Sequence, residues 1–147
     1  MSHKSSDALS DPACEPLAAL PAAAPLPGTA GEARGQVVRV LQERADRCGS
    51  AVGERALADL LLAVSELLTN AVRHGGGVTR FEVVAWAREV RVTVGDRSTD
   101  LPRRRSAPRH GGEGGYGWAL VRELATEVTL VLERDGGKRI TVKLPLA

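Results

Sequence analysis

Residues 65–77, SELLTNAVRHGGG, place a carboxylate and an amide one helical turn apart, shortly before three glycines. Apolar residues recur at spacings of three and four over residues 57–71, and this pattern predicts an amphipathic helix. At ~100° per residue, Glu66 and Asn70 lie ~40° apart on the face opposite the apolar stripe. A solvated helix face accounts for most polar residues in such positions. The alternative is that both side chains point at a ligand.

Two further stretches have residue types that suit a binding site. Asp96 ends the strand-like run VTVGD, where it either starts a turn or accepts a hydrogen bond from a ligand amine. The glycine-rich GGEGGYGWALV, residues 111–121, leads into a helix N-terminus, whose free N–H groups attract phosphate. This stretch lacks the G-x-x-x-x-G-K-[ST] spacing of a P-loop, so alone it indicates only a loop that precedes a helix.

The rest of the sequence predicts the elements that position these residues. Helical spacing, strand-like alternation and turn residues give the order helix, helix, strand, strand, loop, helix, strand, strand, over residues 33–48, 57–71, 80–87, 89–96, 97–115, 116–127, 128–133 and 139–147. Gly49 is the expected stop of the first helix, and each strand pair is close enough for a hairpin. This order predicts an α+β fold, a two-layer sandwich with helices on one face of a mixed, mostly antiparallel sheet.

Length and composition favour one domain with an aliphatic core. The chain has 147 residues, enough for a single core, and only 3% of them are aromatic, so leucine, valine and alanine must fill it. Its 20 basic and 18 acidic residues are too balanced to indicate nucleic-acid binding. Residues 1–28 are rich in alanine and proline and are predicted as a disordered tail, which leaves residues 29–147 as the domain.

Cysteine usage and hydropathy favour a cytoplasmic setting. Cys14 and Cys48 match no zinc-binding or redox spacing, as expected of inert thiols in a reducing compartment. No run approaches the roughly 18 apolar residues that cross a bilayer, so no membrane association is expected.

The three stretches, taken in order, resemble a known superfamily. E-x-x-x-N on a helix, an Asp that ends a strand and G-x-G at a helix start resemble the N, G1 and G2 boxes of the GHKL, or Bergerat-fold, ATP-binding superfamily. Within it, SELLTNAVRHG, VGDRS with the following LP, GYGWALV and GGKRITVKLP look like the versions found in small anti-sigma-factor serine/threonine kinases. The resemblance covers about residues 33 to 146 and implies that residues 29–147 form a GHKL-type ATP-binding domain.

The resemblance implies ATP and Mg²⁺ as ligands and assigns roles to residues. Asn70 would ligate Mg²⁺ through its amide oxygen, and Glu66 would be the catalytic base for the attacking hydroxyl. Asp96 would accept a hydrogen bond from the adenine amino group. The other nucleotide-binding positions implied are His74, Gly75, Ser98, Gly115, Gly117 and Trp118.

Several residues depart from the family pattern. Ser98 and Asp100 occupy the two glycine positions of the usual D-x-G-x-G box, and Trp118 replaces a leucine. Lys138 stands where many relatives carry a threonine that helps to hold adenine. The strand that the family places before its first helix is not recognisable in the proline-rich tail.

The resemblance implies a regulatory enzyme. Such a protein phosphorylates a serine or threonine of an antagonist (anti-anti-sigma) protein, sequesters a sigma factor and forms a homodimer. The alternative is a nucleotide-binding module that holds a partner and transfers no phosphate. A third reading, direct binding of nucleic acid through the arginine-rich loop, is disfavoured by the balanced charge and by the presence of only two Trp, one Tyr and one Phe.

Overall fold

The computed structural model describes residues 15–102 and 117–146, and these form three helices and five strands. The helices are α1 (Ala30–Cys48), α2 (Glu54–Arg73) and α3 (Gly117–Leu124). The strands are β1 (Ala18–Ala19), β2 (Val78–Ala85), β3 (Glu89–Asp96), β4 (Glu127–Leu132) and β5 (Lys138–Pro145). None of these described helices is both long enough and apolar enough to cross a membrane.

The strands form one sheet in the order β1-β2-β3-β5-β4. All neighbouring pairs among the described strands are antiparallel, so the described sheet contains no parallel pair. The predicted α+β class is confirmed, as are both hairpins, β2–β3 and β4–β5. Strand β5 lies between β3 and β4. This brings Asp96 at the end of β3 beside Lys138 at the start of β5, although the two residues are 42 positions apart in the chain.

The two faces of the sheet differ in chemistry because side chains alternate along each strand. The inner face, towards the helices, carries the buried residues Val90, Val92, Val94, Ile140, Val142 and Leu144. The outer face is polar, and there the Thr93 and Thr141 hydroxyl groups are 3.0 Å apart in a cross-strand hydrogen bond. By the same alternation, Asp96 and Lys138 belong to the inner face.

Helix α1 starts and stops where local chemistry requires it. The Thr29 hydroxyl oxygen accepts a hydrogen bond from the Glu32 N–H at 3.1 Å, which caps the N-terminus. At the other end Gly49 adopts a left-handed φ of 73° and donates its N–H to the Ala45 carbonyl. The predicted stop at Gly49 is therefore confirmed.

Strand β1 lies within the segment predicted as a disordered tail, and that prediction is wrong for residues 15–28. The Leu17 N–H donates to the Ala85 carbonyl at 2.8 Å, and the Leu20 N–H donates to the Val83 carbonyl at 2.9 Å. Ala18 is buried against the core. Two paired residues leave no alternating pattern to detect, because the strand is defined by its backbone hydrogen bonds to β2. Residues 1–14 lie outside the described part of the chain.

Buried Arg44 connects α1 to two turns. Its guanidinium donates to the carbonyl oxygens of Trp86 and Ala87 in the β2–β3 turn and to that of Ser50 after α1. The side chain is only 4% exposed, so these three carbonyls replace the water that would otherwise solvate its charge. Arg44 thereby fixes the position of α1 relative to the hairpin.

We expect Arg44→Met to lower the free energy of unfolding by about 2–4 kcal/mol, because three carbonyl groups lose their donor. Arg39→Met is the matched control, since Arg39 is exposed on the same helix, and its effect should stay within about 0.5 kcal/mol. Urea denaturation followed by circular dichroism measures both. Equal effects of the two substitutions would contradict the role assigned to Arg44.

Candidate functional site

Helix α2 turns its apolar stripe to the core and leaves Glu66 and Asn70 on the other face. Its buried residues are Leu60, Ala63, Val64, Leu67, Leu68 and Ala71. Glu66 and Asn70 are partly exposed, as the helical spacing predicted. Within the described residues neither side chain makes a hydrogen bond or an ion pair, so both polar groups are available to a ligand.

The carboxylate of Glu66 lies against the first residue of α3. A Cβ atom added to Gly117 would overlap the Glu66 Oε2 and approach its Cδ to 2.9 Å. Any larger residue at position 117 would therefore displace the Glu66 carboxylate from its present place. Two stretches that the sequence singled out separately, E-x-x-x-N and the glycine-led helix, meet at this contact.

The end of α2 packs in the same way against the end of β3. Gly75 follows the helix and is buried, and a Cβ atom at this position would overlap the Asp96 carboxylate. The Arg97 N–H donates to the Gly75 carbonyl at 2.8 Å, which ties the two segments together through the backbone. His74 is exposed and occupies the C-cap position of α2.

These two contacts lie in the C-terminal half of α2 and just beyond its end. At 1.5 Å per residue, Glu66 and Gly75 are about 13 Å apart along the helix direction. Asn70 lies between them. The stretch from Glu66 to Gly75 thus meets Gly117 at one end and Asp96 at the other.

Asp96 forms a buried ion pair with Lys138. The Lys138 Nζ is 3.0 Å from both carboxylate oxygens, and the two side chains are only 6–7% exposed. The Ser98 N–H also donates to Asp96 Oδ1, at 2.9 Å. The carboxylate that was predicted to receive an adenine amine is therefore already engaged by an ammonium group.

The ion pair follows from the strand register, which pairs Asp96 with Lys138 directly across β3 and β5. Lys138 stood out in the sequence only as a departure from the family pattern. The available signal was that Asp96 ends one predicted strand and Lys138 precedes another. Because β3 and β5 are not consecutive, the sequence did not show that these two ends meet.

The family model described as the histidine kinase-like ATPase domain matches residues 26–144, which is more than half of the chain. The chain belongs to the histidine kinase-like ATPase family. It is therefore an ATP-binding domain of the GHKL superfamily, as the three motifs predicted, and its activity is of the kinase or ATPase type. The match does not separate anti-sigma-factor kinases from other members. A comparison with curated proteins gave no match.

The other residues predicted for the site of this histidine kinase-like ATPase domain lie beside Asp96, beside Gly117 or outside the described residues. Ser98 is partly buried, and its hydroxyl oxygen accepts a hydrogen bond from the Asp100 N–H at 3.0 Å. Trp118 is partly buried and packs against the core. Gly115 lies outside the described residues, as does the arginine-rich segment at residues 103–109.

Asn70 suits the way in which a nucleotide-binding domain holds Mg²⁺. The described residues contain no cluster of three or more His, Cys, Asp or Glu side chains that could cage a metal. Mg²⁺ usually needs no such cage, since one or two protein oxygens, substrate phosphates and waters complete its shell. The unengaged amide oxygen of Asn70 can supply one ligand of that kind.

We expect Gly75→Ala to lower the free energy of unfolding by about 1–3 kcal/mol, because the new methyl group displaces the Asp96 carboxylate from its place beside Lys138. Gly35→Ala is the matched control. Gly35 is inside α1 with nothing within 4 Å of an added Cβ, so alanine there should stabilise the protein by about 0.5–1 kcal/mol. Denaturation curves of both variants test whether the free energy of unfolding falls for Gly75→Ala and rises for Gly35→Ala. A Gly75→Ala protein as stable as the wild type would show that the close approach does not exist.

Proposed function

We propose that this histidine kinase-like ATPase domain is a serine/threonine kinase that controls a sigma factor. It binds Mg-ATP, phosphorylates a serine or threonine of an antagonist protein and sequesters a sigma factor when the antagonist is absent or phosphorylated. The observation that carries the enzymatic part is the position of Glu66. Its carboxylate lies against Gly117 at the start of α3, one turn from Asn70.

The metal and the phosphates belong beside Glu66 and Asn70, near the start of α3. Asn70 contributes an amide oxygen to Mg²⁺, and the N-terminus of α3 offers backbone N–H groups and a positive dipole end to phosphate. Bound ATP supplies the phosphoryl group. Glu66 accepts the proton of the serine or threonine hydroxyl as its oxygen bonds to the terminal phosphorus, and ADP departs with the bridging oxygen.

A structural ion pair along α2 does not explain Glu66. Its neighbours three and four residues away on the helix are Leu62, Ala63, Thr69 and Asn70, and none of them is basic. Glu66 is also partly exposed, so a substrate hydroxyl can reach it.

The choice of partners rests on the motifs. SELLTNAVRHG, VGDRS and GYGWALV resemble the versions found in anti-sigma-factor kinases, and family membership supports the nucleotide-binding part of that resemblance. The proposal includes a homodimer and no direct contact with nucleic acid or membrane. A nucleotide-binding module that holds the same partners without phosphate transfer is the competing outcome in the experiments below.

We expect Asn70→Ala to remove the Mg²⁺ dependence of ATP binding, because the metal loses its protein ligand. Isothermal calorimetry with Mg²⁺ and with EDTA should give the same ATP affinity for the variant and different affinities for the wild type. Stability should be unchanged or raised by up to about 0.7 kcal/mol, since alanine is the better helix former.

Gln42→Ala removes an exposed amide from α1 and serves as the control, which should retain wild-type Mg²⁺ dependence. If Asn70→Ala binds Mg-ATP like the wild type, the metal-ligand role is wrong. If it unfolds, Asn70 has a structural role instead.

We expect Glu66→Gln to keep nucleotide affinity within a few-fold of wild type and to lose roughly 10²- to 10⁴-fold in phosphate transfer, because the general base is gone. Transfer is measured with γ-labelled ATP and the anti-anti-sigma proteins encoded in the same genome. Affinity is measured by calorimetry on the same preparation.

Glu54→Gln is the matched control, since Glu54 is exposed at the first turn of the same helix, and it should transfer phosphate like the wild type. If Glu66→Gln transfers at the wild-type rate, Glu66 is not the base. If the wild type binds Mg-ATP and modifies none of these proteins, the module without phosphate transfer is the better description.

A further inference from the structure

We propose that the Lys138–Asp96 pair presents one hydrogen-bond donor beside one acceptor to the nucleotide base, so that the site takes guanine nucleotides as well as adenine nucleotides. This inference rests on the proposed nucleotide-binding function, in which Asp96 lies at the base end of the site. It adds a specificity-determining role for Lys138, the residue that stands in place of the family's threonine.

The first step in the argument is how firmly the pair is held. Lys138 Nζ contacts both carboxylate oxygens at 3.0 Å, and the Ser98 N–H holds Oδ1 at 2.9 Å. Gly75 packs against the carboxylate, and Gly137 packs against the Asp96 backbone so closely that a Cβ at either position would overlap it. A ligand that reaches Asp96 therefore meets an ammonium group at the same place.

The second step is the hydrogen-bonding capacity that remains. A carboxylate has about four lone-pair positions, and the ammonium and the Ser98 N–H together fill up to three of them. An ammonium has three N–H donors. Its partners within the described residues are Asp96 and, at 3.5 Å, the Ser98 carbonyl. Two of the three donors face the Asp96 oxygens, and the third makes only the 3.5 Å contact with the Ser98 carbonyl, which is at the outer limit of a hydrogen bond. The pair can thus accept one further bond and, in exchange for the long contact with Ser98, donate one.

The third step is what this pair does to base selection. A carboxylate alone only accepts hydrogen bonds, so it attracts the 6-amino group of adenine and repels the 6-oxo group of guanine. An adjacent ammonium donates to the 6-oxo oxygen, and the carboxylate then accepts the N1–H of guanine. The same pair holds adenine through its amino group and a ring nitrogen. Lys138 therefore removes the repulsion that would exclude 6-oxopurines.

A purely structural cross-strand pair is a weaker explanation. On the outer face, Lys143 and Glu127 form such a pair, 3.8 Å apart. Water still reaches both charged groups there, so the pair loses little hydration energy. Lys138 and Asp96 are instead buried on the inner face, where removing two charges from water offsets most of their attraction. Replacement of a buried ion pair by an apolar pair of similar volume is often neutral or stabilising. Burial of charge at the base end of the site thus points to recognition.

The experiment compares the affinities of ATP, GTP and ITP for the full chain in the presence of Mg²⁺, by calorimetry. ITP has the 6-oxo group and lacks the 2-amino group, so it isolates the contact with Lys138. For the wild type we expect GTP and ITP to bind within about tenfold of ATP. For Lys138→Thr we expect the preference for ATP over both to increase by about tenfold or more, since the 6-oxo group loses its donor and faces the carboxylate alone.

Lys143→Thr is the matched control, with the same change on the same strand but on the outer face, and it should keep the wild-type ratios. Wild-type rejection of GTP and ITP by about a hundredfold or more overturns the inference. If Lys138→Thr changes the affinities for ATP, GTP and ITP by the same factor, the inference is also overturned, because the pair then has only a structural role. If Lys138→Thr does not fold, the test uses the affinity ratios of the wild type and of Lys138→Arg. Lys138→Arg keeps a donor at this position and should keep the wild-type ratios.

The two proposals fail in different ways. If none of the three nucleotides binds the wild type, the nucleotide-binding function fails, and this inference fails with it. If ATP binds and the GTP and ITP ratios do not depend on Lys138, the proposed function stands and only the base-reading role of Lys138 is lost.

Discussion

Burial of the apolar stripe of α2 is the constraint on which the site depends. Each fully buried leucine or valine of that stripe contributes about 1.5–3 kcal/mol, and four of them, Leu60, Val64, Leu67 and Leu68, are at most 2% exposed. Rotation of the helix by one residue, about 100°, would expose several of these side chains. The packing therefore fixes which side of α2 carries Glu66 and Asn70, without any direct contact to either residue.

The parts of the fold that local chemistry determines were predictable. Helical spacing gave α2 and the orientation of Glu66 and Asn70, because the core-facing side of a helix follows from its period alone. Gly49 marked the end of α1, and short turns marked both hairpins. For the same reason the motifs of the site could be found in the sequence, since each lies within one element or at its end.

The parts that depend on pairing between distant segments were not predictable. Strand β1 is held by the backbone hydrogen bonds of Leu17 and Leu20, and nothing in its side chains distinguishes it from an irregular tail. The Asp96–Lys138 ion pair requires β5 to lie beside β3, and the sequence of a single strand does not indicate which strand it pairs with. The contact of Gly117 with Glu66 likewise depends on how α3 packs on α2. The sequence therefore indicated both as site residues but did not indicate that they are in contact.

The brevity of β1 has a consequence for how this sheet meets other molecules. A sheet edge offers unpaired backbone groups that can template the addition of a foreign strand, and long flat edges promote aggregation. Here the edge strand has two residues, and Pro16 and Pro21, which lack an N–H group, lie on either side of it. A strand from another chain that approached this edge would find too few donors to build a ladder. The same prolines that hid the strand in the sequence therefore protect the sheet from growing at that side.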